Sequence, residues 1–230
     1  MRASALASFG KVLLRLGQYC ESVAILDEAD IIYEVNTWQN QEVSGRRTDQ
    51  ANTPERKRYF GPTHSVRIGV LADKADAELL FALQQPFLVG NLRLFDVVRT
   101  VFGSTFTKTI ADLQAASYKR MHSRNLKAKS SKPLQAEQAE YRRCCMHALR
   151  DYQQSFQVMA RHSRITRHRR ACARTRILLA RSALGFFRHV DKQNILLALR
   201  KNRKEYEHCM CTKGLKAVDS IIAYVARVRV

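Results

Sequence analysis

The sequence has little of what breaks helices and little of what marks an enzyme or a membrane span. Four prolines and nine glycines in 230 residues leave long stretches in which a helix can run on. No apolar run approaches the ~18 residues that cross a bilayer, so no transmembrane segment is expected. GxSxG, HExxH and GxGxxG are all missing, and with them the usual frames for serine, zinc and dinucleotide chemistry. The six cysteines, Cys20, Cys144, Cys145, Cys172, Cys209 and Cys211, are not spaced like a disulfide scaffold and read as reduced thiols. The seven histidines are scattered and form no nucleophile–base set. A non-enzymatic chain with no catalytic residues, no cofactor and no metal is expected.

One further absence carries more information. Between Asp151 and Asp191 there is no acidic side chain, yet residues 161–176 alone hold seven arginines. The formal charge of the whole chain is +20, and it is unevenly placed. Residues 1–118 carry 13 Lys/Arg against 13 Asp/Glu, while residues 119–230 carry 27 against 7. A field of that size in one half implies a polyanionic or acidic partner.

Within the basic stretch, Ile165, Cys172, Leu179 and Phe186 recur every seven residues. Arg167, Arg174, Arg181 and Arg188 recur with the same period, two residues ahead. Two residues are about 200° around an α-helix, so one helix over 161–189 is expected, with a dry face and a cationic face nearly opposite. A solvated surface normally mixes signs, whereas this one uses arginine, whose planar fork suits phosphate. The candidate nucleic-acid-binding residues are therefore Arg161, Arg164, Arg167, Arg169, Arg170, Arg174, Arg176, Arg181 and Arg188. Aromatic interleaving is weak, which favours backbone phosphates over bases.

The fold class expected is mainly α, a bundle of helical hairpins with extended loops and one short β element near 65–71, where Val66, Ile68 and Val70 alternate. Residues 1–39 read as an amphipathic N-terminal helix and 40–64 as a polar linker. Residues 65–124 read as a neutral, mostly helical region and 134–230 as a basic helical domain. Within the last, helices are expected at 134–159, 161–189, 192–208 and 214–228, with Gly214 marking a turn. The first 19 residues contain Arg2, Lys11 and Arg15 and no acid, the pattern of a mitochondrial targeting segment.

Three motifs fail on their context. ILDEAD (25–30) spells the Mg²⁺-holding motif of DEAD-box helicases, but no phosphate loop and no room for one precede it; its acids read as a charged helix patch. Cys144, Cys145 and His147, taken with His208, Cys209 and Cys211, could supply zinc ligands, but neither group is a CxxC pair. EYRRCCMHALRDYQQSF (140–156) resembles the LYR-motif proteins at Tyr141-Arg142. Glu140 stands where their leucine would be, and no family is assigned.

These features imply a structural subunit of a mitochondrial ribonucleoprotein, in the first place a mitoribosomal protein. Its partners would be rRNA phosphates and neighbouring protein subunits. The alternative is an accessory or assembly subunit of a respiratory complex or ATP synthase, in which the arginines meet acidic protein or anionic lipid.

Overall fold

The computed structural model describes residues 2–46, 62–84, 92–103, 132–160, 165–185 and 189–228, with single positions between 111 and 119. The protein is mainly α: the described residues form eight helices and no strand. They are α1 (Arg2–Leu16), α2 (Tyr19–Arg46), α3 (Pro62–Gln84), α4 (Leu92–Phe102), α5 (Lys132–Ala160), α6 (Arg167–Ala183), α7 (His189–His208) and α8 (Thr212–Arg227). Residues 47–61, most of 104–131 and Phe186 lie outside the described residues, and with them most of the expected linker.

The single N-terminal helix expected from the spacing is two. Gly17 adopts φ +80, and its N–H and that of Gln18 close back on Leu14 and Leu13. This left-handed cap ends α1 and lets α2 fold back as a hairpin. At the crossing, Ser22 Oγ donates to the Gly10 carbonyl at 2.8 Å. A Cβ on residue 10 would lie 2.6 Å from Leu26 Cγ, so glycine is what lets the two helices approach.

The β element expected near 65–71 is instead part of α3. Val66 is exposed, whereas Arg67, Val70 and Leu71 are buried, which is helical periodicity. The alternation of valine and isoleucine misleads because Arg67 is an inward-facing residue. Its guanidinium bonds Asp30 at 2.6 and 3.3 Å and lies 3.2 Å from Glu34. Two acids of ILDEAD thus serve the α2–α3 contact, Asp30 and Asp27, which holds Lys74 at 2.6 Å, while Glu28 pairs with Arg2 of α1.

The middle of α3 is buried on every side, from Ala75 through Leu80. It runs antiparallel to α5: Ser155 Oγ donates to the Ile68 carbonyl at 3.0 Å, and Tyr152 donates to Asp76 at 2.6 Å. From α6 onward each helix packs on its predecessor, and α4 lies against α8 and α6. One apolar core runs from Leu14 and Tyr19 through Leu79, Phe95, Tyr152 and Leu179 to Val225. The neutral and basic regions share it. A smaller cluster of Ala3, Leu26, Ala29, Tyr33 and Val70 seals the α1–α2 hairpin against α3.

Candidate nucleic-acid interface

The arginine-rich segment folds as α6, capped by Thr166, whose side chain accepts from the Arg169 N–H. The helix is shorter at both ends than its spacing suggested, and Arg161, Arg164 and Arg188 lie outside the described residues. It is also more enclosed. From Arg170 to Gly185 no residue is fully exposed, because α5, α7, α8 and α4 all pack on it.

Its inner edge is not the Ile165–Cys172–Leu179 line. Leu179 is fully buried, but the buried row is Ala171, Thr175, Leu178 and Ser182, and Cys172 is only half-buried. Thr175 and Ser182 can be buried because each returns its hydroxyl to the helix, to the carbonyls of Ala171 and Leu178. A pattern built on apolar residues alone overlooks such positions.

The arginines divide accordingly. Arg176 lies 3.4 Å from the carboxylate of Asp76 and 5.7 Å over the Phe102 ring, so it is engaged inside the bundle. Arg174 stacks 5.5 Å over Phe156 of α5, and Arg181 is half-buried. Arg167 and Arg169 are exposed on the first turn of α6, with Arg170 half-buried beside them.

That first turn adjoins a second helix start. Cys211, the N-cap of α8, brings its sulfur to 3.3 Å from His168 Nε2. The N-termini of α6 and α8 are therefore neighbours at one end of the bundle. Lys213 and Lys216, exposed in the first turns of α8, join Arg167 and Arg169 there, and neither helix has an acid in its first turn. Cations at a helix N-terminus oppose the dipole. The last turn of α7 adjoins both starts through Tyr206, which meets His168 edge-on and packs on Gly214, and its C-terminal dipole end has the opposite sign; the four cations are exposed. These two lysines escaped the sequence reading, which weighed only the arginine run. Their three-residue spacing after Cys211 was the available signal.

The groups considered for zinc do not assemble. Cys144 and Cys145 are buried in the core, His147 faces Glu78 at 3.7 Å, and Cys211 faces α6. Among the described residues no set of three ligands could hold a metal ion, and no helix is long and apolar enough to cross a membrane. No protein-family model, no curated protein and no solved structure matches the chain.

Proposed function

We propose that this chain is a non-catalytic structural subunit of a mitochondrial ribonucleoprotein, in the first place a mitoribosomal protein, that sets one end of its bundle on rRNA phosphates. The observation that carries this reading is the pairing of two helix N-termini with Arg167, Arg169, Lys213 and Lys216. Helix dipole and side chains there favour the same anion, and arginine supplies a bidentate fork for phosphate. Arg161 and Arg164 adjoin this end in sequence. The mitochondrial assignment rests on the basic, acid-free first 19 residues. It takes that segment as retained, since Gly10, Leu13 and Leu14 are packed.

Protein neighbours have their own support. Phe9, Val12 and Leu16 on α1 and Ile31 and Val35 on α2 stay exposed among the described residues. A row of this kind suits burial against another subunit.

Filter binding of the full chain to structured RNA tests the reading. Four phosphate contacts should cost about a hundredfold in affinity between roughly 50 and 200 mM salt. Binding indifferent to salt would overturn it. Nuclease-sensitive sedimentation of the native particle is expected; detergent-stable migration with a respiratory complex would favour the accessory-subunit alternative.

A further inference from the structure

Three soft or titratable side chains converge where α6 meets the start of α8, and the RNA reading uses none of them. His168 Nε2 lies 3.3 Å from Cys211 Sγ and 3.7 Å from Cys172 Sγ. The Gly214 N–H, in the first turn of α8, donates to Cys211 Sγ at 3.4 Å. Tyr206 meets the imidazole edge-on, at 6.1 Å between ring centroids. Tyr206 is itself fixed by its hydroxyl, 2.8 Å from Thr175 Oγ1. Both cysteines are half-buried rather than sealed in the core.

The remaining thiols lack this setting. Cys144 and Cys145 are buried, and burial pushes both thiols up to about 12. Cys20 is exposed, but desolvation and then Glu21 push its thiol up as well. Cys209 sits in the last turn leaving α7, its N–H bonded to Glu205.

We propose that Cys211 and Cys172 are a peroxide-oxidisable thiol pair, with His168 as the proton acceptor of Cys211. The Cys211 proton passes to His168 Nε2, and the thiolate is held by the Gly214 N–H at the helix N-terminus. The sulfur attacks one oxygen of hydrogen peroxide. The O–O bond breaks, and the leaving hydroxide takes the proton from His168 to form water, giving Cys211 sulfenic acid. The Cys172 sulfur then attacks Cys211 Sγ, an S–S bond forms, and the hydroxyl leaves with the Cys172 proton as a second water. Two thiols are oxidised by one peroxide, which is reduced to two waters. The bond ties α6 to the start of α8, across the basic end of the bundle. This inference does not depend on RNA binding.

The test uses the reduced full chain, pulsed with iodoacetamide or with one equivalent of hydrogen peroxide and read by peptide mass spectrometry. Cys211 should alkylate faster than the more exposed Cys20. Peroxide should yield a Cys172–Cys211 linkage. His168→Asn should slow both reactions of Cys211 by about tenfold while leaving Cys20 unchanged. Cys172→Ser should halt oxidation at a dimedone-trappable Cys211 sulfenic acid. Because that variant removes a packed side chain, the wild-type rate order and the His168→Asn variant stand without it. Cys20 reacting as fast as Cys211, a linkage to any other cysteine, or a rate untouched by His168→Asn would each overturn the proposal.

Discussion

The guanidinium of Arg176 on α6 lies 3.4 Å from the carboxylate of Asp76 on α3. One of the seven arginines of the basic run thus answers a buried acid of the neutral region. Asp76 also accepts from Tyr152 at 2.6 Å. Burial raises its carboxyl to about 6, against the pull of Arg176. Arg176→Met leaves that carboxylate with the phenol alone. Breaking a buried pair costs about 3–5 kcal/mol. The partial exposure of Arg176 puts the expectation at the lower end or just below. Urea unfolding at pH 7.5 should show this loss. At pH 5, where Asp76 is already protonated in the folded state, the gap between variant and wild type should shrink.

The exposed arginines should behave oppositely. Arg167→Gln with Arg169→Gln removes two side chains that make no ion pair with a described residue, and glutamine keeps comparable helix propensity. Thermal stability should stay the same or rise slightly as charge crowding at the α6 N-terminus falls. The salt slope of RNA binding should drop by about 1.5, at 0.7–0.9 per contact. An unchanged slope would move the interface elsewhere on the molecule.

The C-terminal helices were legible because apolar residues there recur at helical spacing: the expected 134–159 and 192–208 are observed as Lys132–Ala160 and His189–His208. What local pattern could not show was the direction of polar side chains. Arg67 turns inward because Asp30 waits on α2, and that pairing made the flanking valines look like a strand. Thr175 and Ser182 turn inward because a helix carbonyl can take their hydroxyls. Gly17 was readable as a helix stop, but Val12, Leu16, Tyr19 and Val23 carried the periodicity across it. At the candidate interface, the arginine run lay in plain view. The neighbourhood of His168 and Cys211, 43 residues apart, needed the tertiary fold.

Glu78 makes stability depend on pH in an unusual direction. It is 6% exposed, and burial first, then Asp151, pushes its carboxyl up to about 8, while Lys74 and Arg143 pull it down. A group whose folded pKa is raised stabilises the protein below its unfolded value, and that stability is lost as pH rises through the folded pKa. The window here runs from the ordinary carboxylate range to about 8. Asp73, Asp76 and Asp151 are raised too and act with the same sign. The melting temperature should fall from pH 5 to pH 8. Glu78→Gln should flatten that fall, with a gain at pH 8 and none at pH 5.

Gly214 tests the packing beside His168. A Cβ at this position would lie 2.2 Å from Cδ1 and Cε1 of the Tyr206 ring and 2.7 Å from Cγ. Two effects of Gly214→Ala compete. Alanine improves helix propensity by about 1 kcal/mol, whereas overpacking a filled site costs about 1–3 kcal/mol. The ring has little freedom to yield. It is 2% exposed, its hydroxyl is bonded to Thr175, and Asn202 Nδ2 bonds the same Thr175 oxygen at 2.9 Å. The clash should therefore win, with a net loss of about 2 kcal/mol in urea unfolding. Removing the ring should reverse the sign: in a Tyr206→Ala background, Gly214→Ala should stabilise by roughly the propensity gain. The double-mutant cycle isolates that coupling. Gly214→Ala should also displace His168 from Cys211, so alkylation of Cys211 should slow in the folded variant. Stabilisation by Gly214→Ala with Tyr206 present would mean that the ring does not sit over α8.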